Sequence, residues 1–324
     1  MKLLGLDTSN YTTSLAWYDT ASGIITQKKM LLPVPEGQAG LRQSDAVFQH
    51  VRQLPELTEQ LFAECGNLLP DAIGVSDAPR TVENSYMPCF LAGTGAARML
   101  AAVLHVPLYR TSHQIGHILA ALYSAHCISW LDATGKPFLA FHVSGGTTDC
   151  EQCTPDSECV LQIEQVSGSL DLKAGQAVDQ VGLMLSLSFP CGSALEQLAA
   201  QSNSSAHMQV RLKDGCCSLS GLQNQCEAML KKNTAPADIA RYCLNSVSAV
   251  LRAMTTEAVK KCGDVPVLFA GGVLSDRLIQ DQLRNLPVKT AFAEPAFSSD
   301  NAAGTAIFAA RKEMQACPSL PSVS

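Results

Sequence analysis

Two histidines one helical turn apart are the first residues of this chain whose types and spacing could do chemistry. His113 and His117 lie in the segment SHQIGHI, where a helix would project both rings from one face. Neutral imidazoles at that spacing can share a metal ion, although two ligands do not complete a site. The alternative is a pair of ordinary surface or core histidines. The segment lacks the glutamate of HExxH, so it does not predict a metalloprotease.

A further ligand is available in the segment FSSDNAA near the end of the chain. Asp300 could cap the N-terminus of the last helix, a common use of aspartate. It could also supply the carboxylate that a two-histidine site needs. From the residues alone, both alternatives for Asp300 stay open.

Turns of small polar residues lie between predicted strands at the start of each half of the chain. The first is Asp7-Thr8-Ser9, and the second is the segment SGGTT over residues 144–148. Backbone N–H groups and hydroxyls in such turns could hold phosphate groups, and glycine permits a close approach. Hairpin tips often have this composition, so each turn alone is a weak signal.

A third turn, Gly271-Gly272, joins an apolar run to a predicted helix. It could pass beneath an adenosine, and the helix end favours anionic groups. It could also be an ordinary tight turn in which Ser275 or Asp276 caps the helix. The two interpretations are compatible.

The composition excludes several classes of protein. Of 324 residues, 47% are hydrophobic and 16% charged, which suits two domains with sizeable cores rather than a disordered chain. No apolar stretch could span a bilayer and no signal peptide is evident, so we expect a cytoplasmic protein without membrane contact. The 13 cysteines lie mostly in apolar segments and predict buried, reduced thiols. A net charge of −6 does not favour strong unaided binding of nucleic acid.

The elements that must position these residues alternate between strands and helices. Apolar runs around the first turn predict a β-hairpin over residues 3–17, and residues 138–163 repeat that pattern. Helical periodicity is evident over 94–104, 238–261 and 303–314. The alternation predicts an α/β fold, and the hairpins make its sheets mixed.

The division into domains follows from the same repetition. We predict a first lobe over residues 1–125 and a second over 126–324, and the final helix could pack back on the first lobe. Because a polar turn opens each half, a nucleotide cleft is expected between the lobes.

The order of the motifs resembles that of the TsaD-type threonylcarbamoyltransferases, which modify an anticodon-loop adenosine of tRNA. That family has the motifs GIETSCDET, HMEGH, SGGHTQL, DDAAGEAFDK, YPGG, FSFSGLK, AGGVSANRTLR and CTDNGAMIA. The corresponding segments here follow in the same order and cover nearly the whole chain: Gly5–Thr13, His113–His117, Ser144–Asp149, Asp171–Gln180, Phe189–Gly192, Cys217–Gln223, Ala270–Arg277 and Ser299–Thr305.

This resemblance implies a two-lobed fold of the actin and sugar-kinase type (ASKHA) and assigns the candidate residues. His113, His117 and Asp300 would bind one divalent metal, iron or zinc. Asp7 and Asp179 are candidates for catalytic carboxylates near the transferred group. The adenylate site would be formed by a larger set: Ser144, Gly145, Gly146, Thr147, Thr148, Asp179, Gly192, Gly271, Gly272 and Asp276.

Several family positions carry different residues here, as in a divergent paralogue. Asn10-Tyr11-Thr12 replaces Cys-Asp-Glu, Ile115 replaces the glutamate of the metal helix, and Thr147 replaces the histidine of SGGHT. The nucleotide frame and the metal ligands are retained, whereas residues around the transferred group differ.

The resemblance implies an acyltransferase, not a protease, that moves threonylcarbamoyl from its adenylate to N6 of an adenosine in tRNA. ATP is a further candidate ligand. Two alternatives remain: a non-catalytic paralogue that binds nucleotide and metal as a partner or regulator, and a carbamoyltransferase with a small-molecule acceptor.

The same resemblance implies that the protein binds tRNA with the help of TsaB- and TsaE-like proteins. A dimer is also possible. We expect the isolated chain to bind tRNA weakly and with strong salt sensitivity. The best local candidates for phosphate contacts are Arg42, Arg52, Arg80, Arg98 and Arg110.

Overall fold

The computed structural model describes residues 1–9, 11–34 and 41–316, and its contacts divide the chain into two compact units. Unit 1 comprises residues 1–134, 155–161 and the chain from 296 onward, and unit 2 comprises 135–154 and 162–295. These units are defined by contacts within the structure. The domain boundary that the sequence predicts after residue 125 stays a prediction.

Unit 1 is built on a five-stranded sheet in the order β3-β2-β1-β4-β5. The first three strands are antiparallel neighbours, whereas β1, β4 and β5 run parallel. This confirms the predicted N-terminal hairpin and the mixed sheet. The strands are β1 (Lys2–Asp7), β2 (Thr12–Asp19), β3 (Ile24–Leu31), β4 (Ala72–Ala78) and β5 (Leu108–Ser112).

Helices cover both faces of this sheet. They are α1 (Gln43–Glu64), α2 (Phe90–Leu104), α3 (His113–Ser124) and α10 (Ala303–Ala316), with a 3₁₀ helix over Ile128–Asp132. Leu4 and Leu6 of β1 join an apolar cluster with residues of α1 and α2. Gly5 lies between them and faces α10 instead, since successive residues of a strand point to opposite faces.

Glycines allow α10 to approach the sheet and α3 at backbone contact. A Cβ added to Gly74 of β4 would lie 2.0 Å from the carbonyl oxygen of Thr305 on α10. One added to Gly304 would lie 1.8 Å from the carbonyl oxygen of Gly116 on α3. No side chain fits at either position, so α10 is held directly against β4 and α3.

Unit 2 has a second five-stranded sheet, in the order β10-β9-β6-β7-β8. β6 pairs antiparallel with β7 and parallel with β9, so this sheet is mixed as well. The strands are β6 (Phe138–Val143), β7 (Thr148–Asp156), β8 (Val160–Gly168), β9 (Val267–Ala270) and β10 (Thr290–Phe292).

The helices of unit 2 supply most of its core. Buried residues of α4 to α8 pack with Leu139, Phe141 and Val143 of β6. The helices are α4 (Ala174–Met184), α5 (Gly192–Ala199), α6 (Ser220–Lys231), α7 (Pro236–Cys262) and α8 (Arg277–Arg284), with a 3₁₀ helix over Gly272–Ser275. The short helix α9 (Pro295–Ser298) follows, and all but its first residue belong to unit 1.

The structure confirms the α/β class and most of the predicted elements. The strand over 138–143, the long helix near 238–261 and the last helix from Ala303 are present as predicted. The sequence interpretation missed β3, α4, α5 and α6. Every described cysteine is a free thiol. Among the described residues, no helix is long and apolar enough to cross a membrane.

The close approach of α10 predicts opposite effects for the same substitution at two glycines of unit 1. Gly74→Ala should lower the free energy of unfolding by about 1–3 kcal/mol, the usual cost of overpacking. Gly95→Ala should raise it by about 0.5–1 kcal/mol, because Gly95 lies within helix α2. A Cβ at Gly95 would meet nothing within 4 Å. Urea unfolding measures both, and a neutral Gly74→Ala would contradict the proposed packing.

Candidate functional site

A row of polar residues crosses the sheet of unit 1 where β1 ends. Asp7 pairs with Ser14 of β2, and Ser14 pairs with Lys29 of β3. On its other side, Asp7 accepts a short hydrogen bond from Ser76 of β4. Asp7 follows Gly5 by two residues, so it points to the same face, the one that α10 covers. We call Lys29, Ser14, Asp7 and Ser76 the polar row.

Asp7 is the buried carboxylate of this row. It is 1% exposed, accepts a hydrogen bond from Ser9 Oγ at 2.5 Å, and lies 3.2 Å from Nδ1 of His113. A carboxylate in this position holds a proton on Nδ1, which leaves the lone pair of Nε2 available to bind a metal ion. The structure therefore places Asp7 behind His113. Its predicted part in the transfer reaction stays a prediction.

The side chains of Thr8 and Ser9, the other residues of the first polar turn, also form hydrogen bonds within unit 1. Thr8 Oγ1 donates to the carbonyl of Cys89 at 3.0 Å and accepts from the N–H of Gly93 at 3.1 Å. Thr8 and Ser9 are both buried. The hydroxyls of Thr8 and Ser9 thus have partners within unit 1. The interpretation of this turn as a phosphate cradle stays a prediction. Asn10 lies outside the described residues.

The two histidines open helix α3 as the spacing predicts. The helix begins at His113 because Ser112 caps it, accepting a hydrogen bond from the N–H of Ile115 at 3.2 Å. The Nε2 atoms of His113 and His117 are 2.8 Å apart. Ile115, at the family's glutamate position, is 4% exposed and packs away from solvent.

Asp300 meets both rings. Its Oδ1 lies 3.5 Å from Nε2 of His113 and 3.3 Å from Nε2 of His117. The three donor atoms lie within 4.8 Å of one another. The structure thus brings the predicted metal ligands together. Asn301, rather than Asp300, accepts the hydrogen bond from the N–H of Ala303 at the start of α10, so Asp300 is free of that capping role.

Two carboxylates dominate the electrostatics of His113. Burial would lower the pKa of His113, but Asp7 and Asp300 outweigh it and raise that pKa to about 10. Conversely, burial raises the pKa values of Asp7 and Asp300, but the interactions with His113 lower both below the ordinary value. The cluster strongly favours a positive charge between the two carboxylates, either a proton or a cation.

The donor set fits a divalent metal ion. Two imidazole nitrogens and one carboxylate oxygen suit zinc or iron, and an open position remains for a ligand. Asp7 adds the outer-shell carboxylate that commonly orients a metal-bound histidine.

A cavity of about 470 Å³ lies in unit 2, and all its lining residues belong to that unit. It includes most of the predicted adenylate residues: Ser144, Gly145, Asp179, Gly192, Gly272 and Asp276. A Cβ added to Gly145, Gly192 or Gly272 would meet nothing within 4 Å, so these glycines border open space.

The second polar turn is shaped by its own hydrogen bonds. Ser144 Oγ accepts from the N–H groups of Gly146 and Thr147 at 3.3 and 3.1 Å. Thr148 is fully buried, and its hydroxyl accepts from the N–H of Ala174 at the start of α4. Ser144 and Gly145 therefore line the cavity, whereas Gly146, Thr147 and Thr148 are not among its lining residues.

The two residues of the Gly-Gly turn also have different roles, one in packing and one in lining the cavity. Gly271 has a φ of 108°, and a Cβ there would lie 2.2 Å from the carbonyl oxygen of Val143. It is therefore a packing residue and is not among the residues that line the cavity, so its predicted contact with the nucleotide stays a prediction. Gly272 lines the cavity, and Asp276 caps α8 by accepting from the N–H of Ile279 at 3.0 Å.

Other residues that line the cavity were missed. Glu196 and Ser193 lie on α5, and Val178 lies on α4, two helices that the sequence interpretation did not recognise. The apolar spacing of Ala174, Ala177 and Val178 could have indicated α4. Burial and neighbouring Glu196 raise the pKa of Asp276 to about 6, although hydrogen bonds from the helix start oppose this.

Binding of a divalent metal should release a proton and become tighter as the pH rises. The pKa of about 10 means that His113 is protonated at neutral pH in the metal-free protein, and the ion must displace that proton. Calorimetry with Zn²⁺ in buffers of different ionisation enthalpy should show release of about one proton per ion near pH 7. Affinity that is independent of pH, without proton release, would contradict this account of the cluster.

Comparisons with known proteins place the chain in a family. A family model described as "TsaD: tRNA N6-adenosine threonylcarbamoyltransferase" matches residues 32–307. A tRNA N6-adenosine threonylcarbamoyltransferase of Thermus thermophilus is 28% identical over 99% of this chain and 96% of its own length. One from Aromatoleum aromaticum is 30% identical over 94% of this chain and 89% of its own length.

Among solved structures, full-length HypF in a phosphate- and nucleotide-bound form has a TM-score of 0.58 at 13% identity. It covers 97% of this chain, which spans 55% of the HypF chain, and the likeness shows the fold alone. That fold is of the expected actin and sugar-kinase type. With the family match over most of its length, the chain belongs to the TsaD family of tRNA N6-adenosine threonylcarbamoyltransferases.

Proposed function

We propose that this protein transfers a threonylcarbamoyl group from threonylcarbamoyl-adenylate to N6 of an anticodon-loop adenosine in tRNA. Membership of the TsaD family supports the transferase activity. The observation that carries the proposal is the convergence of His113, His117 and Asp300 within 4.8 Å, because such a cluster can hold a Lewis-acidic ion beside a carbonyl group.

In this proposal, the residues of unit 1 hold and orient the metal. Nε2 of each histidine and the carboxylate of Asp300 would bind iron or zinc, which when bound polarises a carbonyl oxygen. The carboxylate of Asp7 lies 3.2 Å from Nδ1 of His113 and holds the proton on that nitrogen, which keeps Nε2 directed at the ion. Asp7 therefore acts as a positioning residue.

The cavity of unit 2 is proposed to bind the nucleoside part of the adenylate. Three carboxylates, Asp179, Glu196 and Asp276, are among its described lining residues, and none of those residues is basic. Carboxylates accept hydrogen bonds from ribose hydroxyls, but they repel phosphate groups. This lining favours a nucleoside over a polyphosphate chain, and it supports AMP derivatives over ATP as the ligand.

A bulky residue at Gly272 should abolish binding of the nucleotide without unfolding the protein. Gly272 lines the cavity, and a side chain there enters open space. We expect no detectable AMP binding by calorimetry for Gly272→Leu, with a native circular dichroism spectrum. Gly221→Leu is the matched control, because Gly221 also borders open space but does not line the cavity. Normal AMP binding by Gly272→Leu would count against this site.

The function is tested by transfer of labelled threonylcarbamoyl to tRNA that lacks the modification. We propose that activity requires partner proteins that help to hold the tRNA, since the chain has a net charge of −6. The assay therefore includes TsaB- and TsaE-like proteins. His117→Ala should lose most of the transfer, whereas His126→Ala, at a histidine outside the metal cluster, should retain it.

Two results would overturn the proposal. Absence of transfer by the unsubstituted chain with its partners would indicate a non-catalytic protein or a different acceptor. Full activity of His117→Ala would show that the metal cluster is not used in the reaction.

A further inference from the structure

Lys29 is the member of the polar row that lies on the edge strand β3, beyond Ser14 and Asp7. Its ammonium group donates to Ser299 Oγ at 2.9 Å and to the carbonyl oxygen of Ala296 at 3.2 Å. Both acceptors belong to the short segment that ends at Asp300. Lys29 therefore ties the sheet to the residues immediately before the proposed metal ligand.

This segment has other contacts, but they come from Asn301 and from helix α3 rather than from the sheet. Asn301 Nδ2 donates to the carbonyls of Phe297 and Ser299 at 3.1 and 2.7 Å, which fixes the segment to the start of α10. The ring of Phe297 lies 5.4 Å from that of Tyr123 on α3. Lys29 supplies hydrogen bonds from the sheet, and it also brings a positive charge close enough to Asp300 to interact with it.

We propose that Lys29 is a positioning residue for Asp300, and that the polar row orients both kinds of metal ligand. Asp7 fixes the ring of His113 through Nδ1, whereas Lys29 fixes the segment that carries the carboxylate. The inference rests on the proposed metal site. Its physical basis is that a ligand held in place before the ion arrives binds more tightly than a mobile one.

The neighbouring lysine provides a matched comparison. Lys28 precedes Lys29 on β3, so its side chain points to the opposite face of the sheet. There it forms an ion pair with Glu64 at the end of α1, remote from the Asp300 segment in sequence and contact. Both residues are lysines on one edge strand, so they have the same strand propensity and charge. They differ in their contacts, which are Glu64 for Lys28 and the Asp300 segment for Lys29.

The experiment compares Lys29→Met, Lys29→Arg and Lys28→Met with the unsubstituted chain. Zn²⁺ affinity is measured by competition with a chelator, and the visible spectrum of bound Co²⁺ reports the ligand geometry. Urea unfolding of the metal-free chains separates an effect on the site from an effect on the fold.

We expect Lys29→Met to weaken Zn²⁺ binding by about tenfold or more, the usual range for residues that orient metal ligands. The Co²⁺ spectrum should change as well. Lys29→Arg can still donate to Ser299 and Ala296, so it should restore most of the affinity. Lys28→Met should bind as the unsubstituted chain does. The stability of the metal-free variants should be nearly equal, since ion pairs and hydrogen bonds of lysines at the protein surface contribute little to folding.

Unchanged affinity and an unchanged Co²⁺ spectrum in Lys29→Met would overturn the role of Lys29 while leaving the metal site intact. An equal loss of affinity in Lys28→Met would also overturn it, because the effect would then belong to β3 in general. If the unsubstituted chain binds neither Zn²⁺ nor Co²⁺, the metal site itself is wrong, and the role of Lys29 falls with it.

Discussion

The backbone contact between α10 and its neighbours is the constraint on which the candidate site depends. Gly304 lies against Gly116 of α3, and Gly74 of β4 lies against Thr305, with no room for a side chain at either glycine. Asp300 precedes α10 by three residues, and His113 opens α3. Because these helices meet at backbone distance, ligands that are remote in sequence converge on one point. A looser packing would leave the histidines without their carboxylate.

The charges at that point favour a cation. Asp7 is buried, and Asp300 faces the same histidine from the other side. Two carboxylates around one imidazole favour a positive charge between them. In the metal-free chain, a proton on His113 provides it. A divalent ion would replace that proton, and Lys29 adds a further positive group beside Asp300. In the proposed function, the cluster exchanges this proton for a metal ion.

The sequence predicts the local parts of this arrangement well. The pair His113 and His117 follows from helical spacing, and the strands around the polar turns follow from apolar runs. Lys29 and Ser76 could not be predicted, since their place in the polar row depends on the register between strands that are distant in sequence. α4 and α5 were missed because they are short and begin in segments read as motifs. Resemblance of motifs identified Asp300, which spacing alone left undecided.

The two polar turns show why composition cannot separate structure from binding. Both follow the first strand of a hairpin and both are rich in small polar residues. In unit 1, Asp7, Thr8 and Ser9 are buried and satisfied by His113, Ser76, Cys89 and Gly93. In unit 2, Ser144 folds the turn on itself, and Gly145 is left bordering a cavity. The difference arises from what packs over each turn. α3 supplies a histidine that engages Asp7. α4 instead packs against the second turn through Gly175, where an added Cβ would lie 2.5 Å from the backbone nitrogen of Gly145. One hairpin motif thus orients His113, a proposed metal ligand, in the first unit and borders a cavity in the second.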